Sequence, residues 1–203
     1  MADNLTTFDK AKSVFRSHGG VLRTGGAIKL GVHPRTLYAM RDAGVIERLS
    51  RGLYRLAGLR PLSNQDLVTV SLRVPKGIVC LISALAFHEL TTQIPHAVYV
   101  ALKRGSKAPR LEHPPLRTFW FAGDAFASGF ECHEVDGVPV RVYGPEKTIA
   151  DCFKYRNKLG LDIAIEALRL WRRRRDHDLD RLMAYARTCR VERLIRPYVE
   201  ALV

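Results

Sequence analysis

The chain has 203 residues, with 33 lysine and arginine residues against 20 aspartate and glutamate residues and a formal net charge of +13. This basic balance favours a polyanionic partner, with nucleic acid ahead of an anionic membrane surface. No apolar run approaches the ~18 residues of a membrane span, and the N-terminal MADNLTTFDK has no apolar stretch of the kind that signal peptides contain. We therefore expect a cytoplasmic protein without a membrane partner.

The first 60 residues predict three short helices followed by a hairpin. Apolar residues at helical spacing from Leu5 to Phe15 indicate the first helix. The second covers RTGGAIKLG, capped by Thr24 and ended by Gly31, and the third covers PRTLYAMRDAG, with proline in its first turn and glycine beyond its end. The segments VIERLS and LYRLAG predict two strands joined at Arg51-Gly52.

The remaining residues predict a larger α+β unit after a linker at GLRPLSNQ. A helix follows the linker, with Ser63 and Asp66 at capping-box spacing, and ISALAFHELT predicts a short helix capped by Ser83. Strands are predicted at HAVYVALKRG and RTFWFAG, and a hairpin around Asp136-Gly137. Helices are predicted near 145–157, 161–175, 178–188 and 191–203. The predicted fold class is α+β, with a winged helix-turn-helix domain at 1–60 and an α+β domain at 61–203 that ends in helices.

The spacing of small and apolar residues supports the winged helix-turn-helix. Ala27 stands where two crossing helices need a small side chain, and Gly31 stands where the turn needs a positive φ, which glycine adopts without strain. Leu37 and Met40 are expected on the inner face of the third helix. The opposite face is then the one that a recognition helix presents to the major groove, where its N-terminal residues do most of the reading.

The outward face of the third helix and the hairpin supply the candidate DNA contacts. Arg35 could bond a guanine edge bidentately, and His33 stands at the N-cap, close to base edges or a phosphate. Arg48 and Arg51 lie on the wing, where they would meet the phosphate backbone or the minor groove. The start of the second helix offers backbone amides to a phosphate. The predicted DNA-binding residues are Thr24, His33, Arg35, Thr36, Tyr38, Ala39, Arg48 and Arg51.

Charge separates this hypothesis from its alternative, a winged helix that makes only protein contacts and whose arginines are simply solvated. The first 60 residues hold 11 lysine and arginine residues against 4 aspartate and glutamate residues, a net charge of +7. Together with the proline-started helix and the basic wing, this concentration of charge favours double-stranded DNA as the partner.

No motif predicts a catalytic site. His88-Glu89 lacks a second histidine one helical turn on, and neighbouring Cys132 and His133 in a strand would point to opposite faces. The absence of a Glu-x-Lys or Asp-x-Lys triplet weakens a metal-nuclease arrangement. The four cysteines form no CxxC pair, and their apolar neighbours predict buried free thiols of a reducing compartment. We expect no enzyme activity, no metal and no cofactor.

The string LRTGGAIKLGVHPRTLYAMRDAGVIERLSRGLYRLA resembles the N-terminal winged helix of the AbiEi antitoxin family. The strings SALAFHELTTQIPHAVYVAL and VDGVPVRVYGPEKTIADCFKYRNKLGLDIAIEALR are similar to that family's C-terminal domain. The resemblance implies a type IV toxin–antitoxin system, in which the antitoxin represses its own promoter through an inverted-repeat operator. It also implies a nucleotidyltransferase-like toxin as partner, countered through the C-terminal domain, and it brings no catalytic residues.

Two basic clusters are candidates for partner binding. These cations could instead be solvated at helix ends, where a positive charge is favourable near the C-terminal dipole. They could also contact DNA phosphates beyond the wing. Two copies of the chain on an inverted repeat would bind DNA more tightly if they were linked to each other. The second domain could provide this link by self-association on DNA. The candidate residues are Tyr155, Arg156, Lys158, Arg172, Arg173, Arg174 and Arg175.

Three functions therefore stand at this point. The first is a DNA-binding antitoxin that represses its operon. The second is a nuclease that a winged helix targets to DNA, and the missing acidic–lysine triplets oppose it. The third is a protein that neutralises a toxin without touching DNA, and the basic wing opposes it.

Overall fold

The computed structural model describes residues 6–202, which form a mixed α+β fold as predicted. The chain divides into two compact units, of which the first comprises the described chain up to Arg73 together with Glu134–Pro139. The second begins at Val74 and comprises the rest. The first unit thus extends beyond the boundary predicted near residue 60. Leu5 and Val203, which belong to two predicted helices, lie outside the described residues.

The first unit contains the predicted three helices and hairpin, with one further strand and one further helix. The added strand, β1, completes a three-stranded antiparallel sheet of order β1-β3-β2. It was not predicted because three residues are too few to show an alternating pattern. The elements are α1 (Thr7–Arg16), β1 (Val21–Arg23), α2 (Thr24–Lys29), α3 (Pro34–Asp42), β2 (Ile46–Ser50), β3 (Leu53–Leu56) and α4 (Gln65–Arg73).

The core of this unit fixes the orientation of α3. Ala27, Leu37 and Met40 are fully buried and share one apolar cluster with Phe15 of α1. Gly31 has a φ of 89°, so the turn between α2 and α3 needs the left-handed conformation that favours glycine. The predicted roles of these residues are confirmed, and the face of α3 opposite Leu37 and Met40 is turned to solvent.

The second unit contains a five-stranded mixed sheet of order β6-β5-β4-β8-β7. The predicted hairpin is confirmed, since Asp136 and Gly137 at its turn, which lies in the Glu134–Pro139 segment of the first unit, have φ values of 52° and 77°. The first predicted C-terminal helix is split at Tyr155. The elements are β4 (Ile78–Val79), α5 (Leu81–Phe87), β5 (Val98–Lys103), β6 (Leu116–Phe121), α6 (Asp124–Ala127), β7 (Phe130–Val135), β8 (Val138–Tyr143), α7 (Pro145–Lys154), α8 (Arg156–Leu159), α9 (Leu161–Arg172), α10 (Leu179–Thr188) and α11 (Glu192–Glu200).

Two predicted helix caps beyond the first 60 residues are wrong. Helix α4 begins one residue later than the Ser63 cap requires, and the side-chain oxygen of Asn64 accepts the amide of Leu67 at 3.0 Å. Ser83 lies inside α5, whose N-cap is Cys80. Cys80, whose backbone is extended, takes the position that precedes the first turn of α5.

Helix α7 places an ion pair in the core of the second unit. Lys147 Nζ lies 2.5 Å from Asp151 Oδ2, and both side chains are shielded from solvent. The ammonium also lies 4.4 Å from the centre of the Tyr143 ring, and Cys189 Sγ donates to Asp151 Oδ1 at 3.2 Å. Every polar end of the pair therefore has a partner, which a buried ion pair requires to be tolerated.

Three of the four cysteines are buried, as predicted, but Cys132 is exposed. It lies on β7, where half-buried and exposed side chains alternate, and it occupies an exposed position. All four are free thiols. Burial raises the pKa of Cys80 and Cys152, and that of Cys189 to about 12, so these three thiols stay protonated and are poor nucleophiles.

Candidate nucleic-acid interface

Helix α3 begins with a cap that orients its first turn. His33 is the N-cap, and its Nδ1 accepts the backbone amide of Arg35 at 3.2 Å. Pro34 follows at the first helical position, where its fixed φ suits the helix and its missing N–H costs nothing. This places Arg35 at the exposed N-terminal end of the helix, where a recognition helix makes its base contacts.

The exposed face of α3 is the predicted one. Arg35, Tyr38 and Ala39 are exposed, while Thr36 is half-buried. The Tyr38 ring lies 5.2 Å from the guanidinium carbon of Arg41. Arg41 also pairs with Asp42 at 2.7 Å, and this hydrogen bond raises the pKa of Arg41. The last turn of α3 therefore carries a neutralised cation, and the positive charge of the face is concentrated at its N-terminal end.

The acidic residues of the first 60 positions leave the candidate interface positive. Each of the three described carboxylates is paired with a cation, in the pairs Asp9–Lys12, Asp42–Arg41 and Glu47–Arg55. Within the range 6–202, no ion pair engages Arg35, Arg48 or Arg51. Unpaired arginines on one face produce the local positive potential that attracts a polyanion.

The wing is the turn between β2 and β3. Arg48 and Arg51 are exposed there, and Gly52 has a φ of 71°. Pairing of β2 with β3 shifts register between Arg48 and Ser50, which marks a bulge just before the turn. The two wing arginines are thus held on a short irregular hairpin with their side chains in solvent.

The start of α2 lies against this wing, and Thr24 does not cap the helix as predicted. Thr24 is the first helical residue, and Arg23 takes the N-cap position without a side-chain cap bond. The Thr24 amide donates to the carbonyl of Gly52 at 3.0 Å. The predicted cap is therefore wrong, and this amide is engaged by the wing. Two arginines near the same turn were not predicted: Arg73 donates from Nη1 to the carbonyl of Arg51, and Arg23 pairs with Leu53 across the sheet.

The C-terminal basic clusters are partly engaged within their own unit. The Tyr155 ring stacks on Phe121 at 5.5 Å, and Arg156 donates to the carbonyl of Phe153 at 3.1 Å. Arg172 contacts His177, and Arg174 pairs with Asp176 at 3.0 Å and donates to the carbonyl of His88 at 3.1 Å. The cations left exposed are Lys158, Arg173 and Arg175.

In the described part of the chain, no three histidine, cysteine, aspartate or glutamate side chains come close enough together to hold a metal ion. No helix between residues 6 and 202 combines the length and the apolar character needed to cross a membrane.

Residues 9–57, which span α1 to the end of the wing hairpin, match a family model described as "Transcriptional regulator, AbiEi antitoxin". The predicted AbiEi resemblance is confirmed over this segment. AbiEi proteins are by that description transcriptional regulators and antitoxins, and the match covers the helices and hairpin that carry the exposed arginines. The resemblance of the second unit to the family's C-terminal domain stays a prediction.

A solved structure shares the fold. The crystal structure of the RV2827C protein from Mycobacterium tuberculosis superimposes with a TM-score of 0.53 and 12% sequence identity. The similarity covers 97% of this chain and 82% of that one. No curated protein matches the sequence.

Proposed function

We propose that the chain is a DNA-binding AbiEi antitoxin that represses its own toxin–antitoxin operon and counters a nucleotidyltransferase-like toxin, without enzyme activity of its own. The observation that carries the proposal is the set of unpaired arginines, Arg35, Arg48 and Arg51, on the exposed faces of an AbiEi-type winged helix. The N-terminal end of α3 would enter the major groove while the wing follows the adjacent backbone.

Arg35 and Arg51 are expected to have different roles. Arg35→Ala removes a bidentate base contact, so it should cost about 1–3 kcal/mol on the operator and relax preference at one base position. Arg51→Ala removes a phosphate contact and should weaken binding to all duplexes alike. Mobility-shift titrations on the chain's own promoter and on a random duplex measure both effects.

A matched control distinguishes the loss of a specific DNA contact from the general effect of removing one positive charge. Lys12→Ala also removes a cation, but Lys12 is paired with Asp9 on α1, so its loss should change affinity little. If Arg35→Ala and Arg51→Ala lose the same affinity on specific and random DNA, the assignment of recognition helix and wing is wrong.

Toxin neutralisation is expected to depend on the second unit. Reversing two exposed charges, with Arg173→Glu and Arg175→Glu together, should abolish growth rescue in cells that express the toxin, because an acidic toxin surface would then be repelled. Operator binding should persist in this variant. Arg35→Ala should show the opposite pattern, with rescue kept and repression lost. Full rescue by the charge-reversed variant would exclude this cluster as the toxin surface.

A further inference from the structure

Arg23 is an anomaly at the edge of the winged helix. The residue is half-buried, its Nη2 atom is covered from solvent, and that atom has no hydrogen-bond partner within the described chain. No carboxylate between residues 6 and 202 pairs with it. Buried polar groups in folded proteins are nearly always hydrogen-bonded, so an orphaned guanidinium nitrogen calls for a partner that the free chain does not supply.

A second guanidinium lies beside it. Arg73 is the last residue of α4, and its Nη1 donates to the carbonyl of Arg51 at 2.8 Å. Burial lowers the pKa of Arg23, and the charge of Arg73 lowers it further. Two like charges are thus held close together, an arrangement that costs free energy until an anion binds between them.

The location of the pair is defined by contacts at the wing. The Thr24 amide donates to Gly52, and a Cβ built on Gly52 would lie 3.5 Å from Thr24 Oγ1 and 4.0 Å from Arg73 Nη1. Arg23 precedes Thr24 and pairs with Leu53, the first residue after the turn, and its guanidinium feels the charge of Arg73, which donates to the turn. The unpaired Arg51 side chain extends from the same turn.

We propose that Arg23 and Arg73 together bind one backbone phosphate of the DNA beside the wing, an inference that rests on the proposed DNA-binding function. A phosphate has several acceptor oxygens, and two guanidinium forks can share it with charge-assisted hydrogen bonds. If the half-buried Arg23 side chain turns its covered Nη2 atom toward the phosphate, binding would satisfy that atom and cancel the repulsion between the two cations. Helix α4 then belongs to the DNA-binding module, because it brings Arg73 to the wing.

The test uses the full chain and the variants Arg23→Gln, Arg73→Gln and the double variant. Each is titrated with operator and random duplexes at several salt concentrations. Because either guanidinium can still contact the shared phosphate, each single variant should weaken binding while reducing the slope of log K against log[salt] by less than one, equally on both duplexes. The double variant, which leaves that phosphate without a cation, should reduce the slope by about one. Arg60→Gln, which removes an exposed cation of the linker, is the matched control and should leave the slope unchanged.

A second measurement locates the phosphate. Replacing single phosphates of the operator with neutral methylphosphonates should reveal one position that weakens binding by the wild-type chain and leaves the double variant unaffected. An unchanged slope in the double variant, or a loss of about two, would overturn the shared site while DNA binding by the wild-type chain still stood. Failure of the wild-type chain to bind any duplex would overturn the proposed function and this inference with it. Thermal unfolding of each variant checks that the fold is kept.

Discussion

Raising the salt concentration from about 50 to about 200 mM is expected to weaken binding to duplex DNA by about 1,000-fold, the loss that about six phosphate contacts produce. Lysine and arginine that neutralise phosphates release condensed counterions, and added salt opposes that release. The expectation counts about three phosphate contacts from each of two copies on an inverted repeat, supplied by Arg48, Arg51 and the site proposed for Arg23 and Arg73. Fluorescence anisotropy titrations of a labelled promoter duplex at four or more salt concentrations give the slope.

Two controls make this measurement specific. A random duplex should show a similar slope at lower affinity, because phosphate contacts do not depend on sequence. Arg35→Ala should lower operator affinity at every salt concentration with less effect on the slope than Arg51→Ala. An operator affinity that stays constant across the salt range would contradict a phosphate-dominated interface.

The winged helix could be predicted from sequence because its signals are local. Ala27 and Gly31 mark the crossing and the turn, and Leu37 with Met40 fix the inner face of α3 from spacing alone. Strand β1 was missed because a three-residue strand carries no periodicity of its own. It forms only where the backbone of β3 is already in place to pair with it.

Side-chain partners that lie far apart in sequence could not be predicted. Arg73, at the end of α4, donates to the carbonyl of Arg51 in the wing turn, and no local sequence pattern marks that contact. The parallel pairing of β5 with β6 and of β4 with β8 likewise joins segments separated by long connections. Exposure of Cys132 depends on which face of β7 is covered, which its own neighbours in the sequence do not determine.

Lys147→Met is expected to destabilise the second unit by about 3–5 kcal/mol at neutral pH, because it leaves the Asp151 carboxylate buried without its cation. Burial already raises the pKa of Asp151, and Lys147 is the main group that opposes the rise. Without Lys147 that pKa rises further. Chemical denaturation, followed by the fluorescence of the buried Trp171, measures the loss.

The sign of the pH dependence distinguishes this mechanism from a simple packing defect. In the Lys147→Met chain, the folded carboxyl has a pKa above the value of about 4 that it has when unfolded. As the pH falls through the folded pKa, the folded state binds a proton that the unfolded state does not, so the free energy of unfolding of the variant increases. The variant should therefore recover stability toward about pH 5, whereas a packing defect would cost the same at both pH values.

Removing both charges tests whether the uncompensated Asp151 carboxylate causes the instability of Lys147→Met. The double variant Lys147→Met with Asp151→Leu leaves no uncompensated charge, and replacing a buried ion pair by apolar residues of similar volume is often neutral or stabilising. We expect it to regain most of the stability lost in Lys147→Met and to lose the acid recovery, because no carboxyl remains at position 151. The double variant also removes Asp151 Oδ1, which accepts a weak hydrogen bond from the Cys189 thiol at 3.2 Å. A double variant as unstable as Lys147→Met would show that the Lys147 ammonium contributes through its cation–π contacts with the Tyr143 and Phe121 rings, and not through its pairing with Asp151.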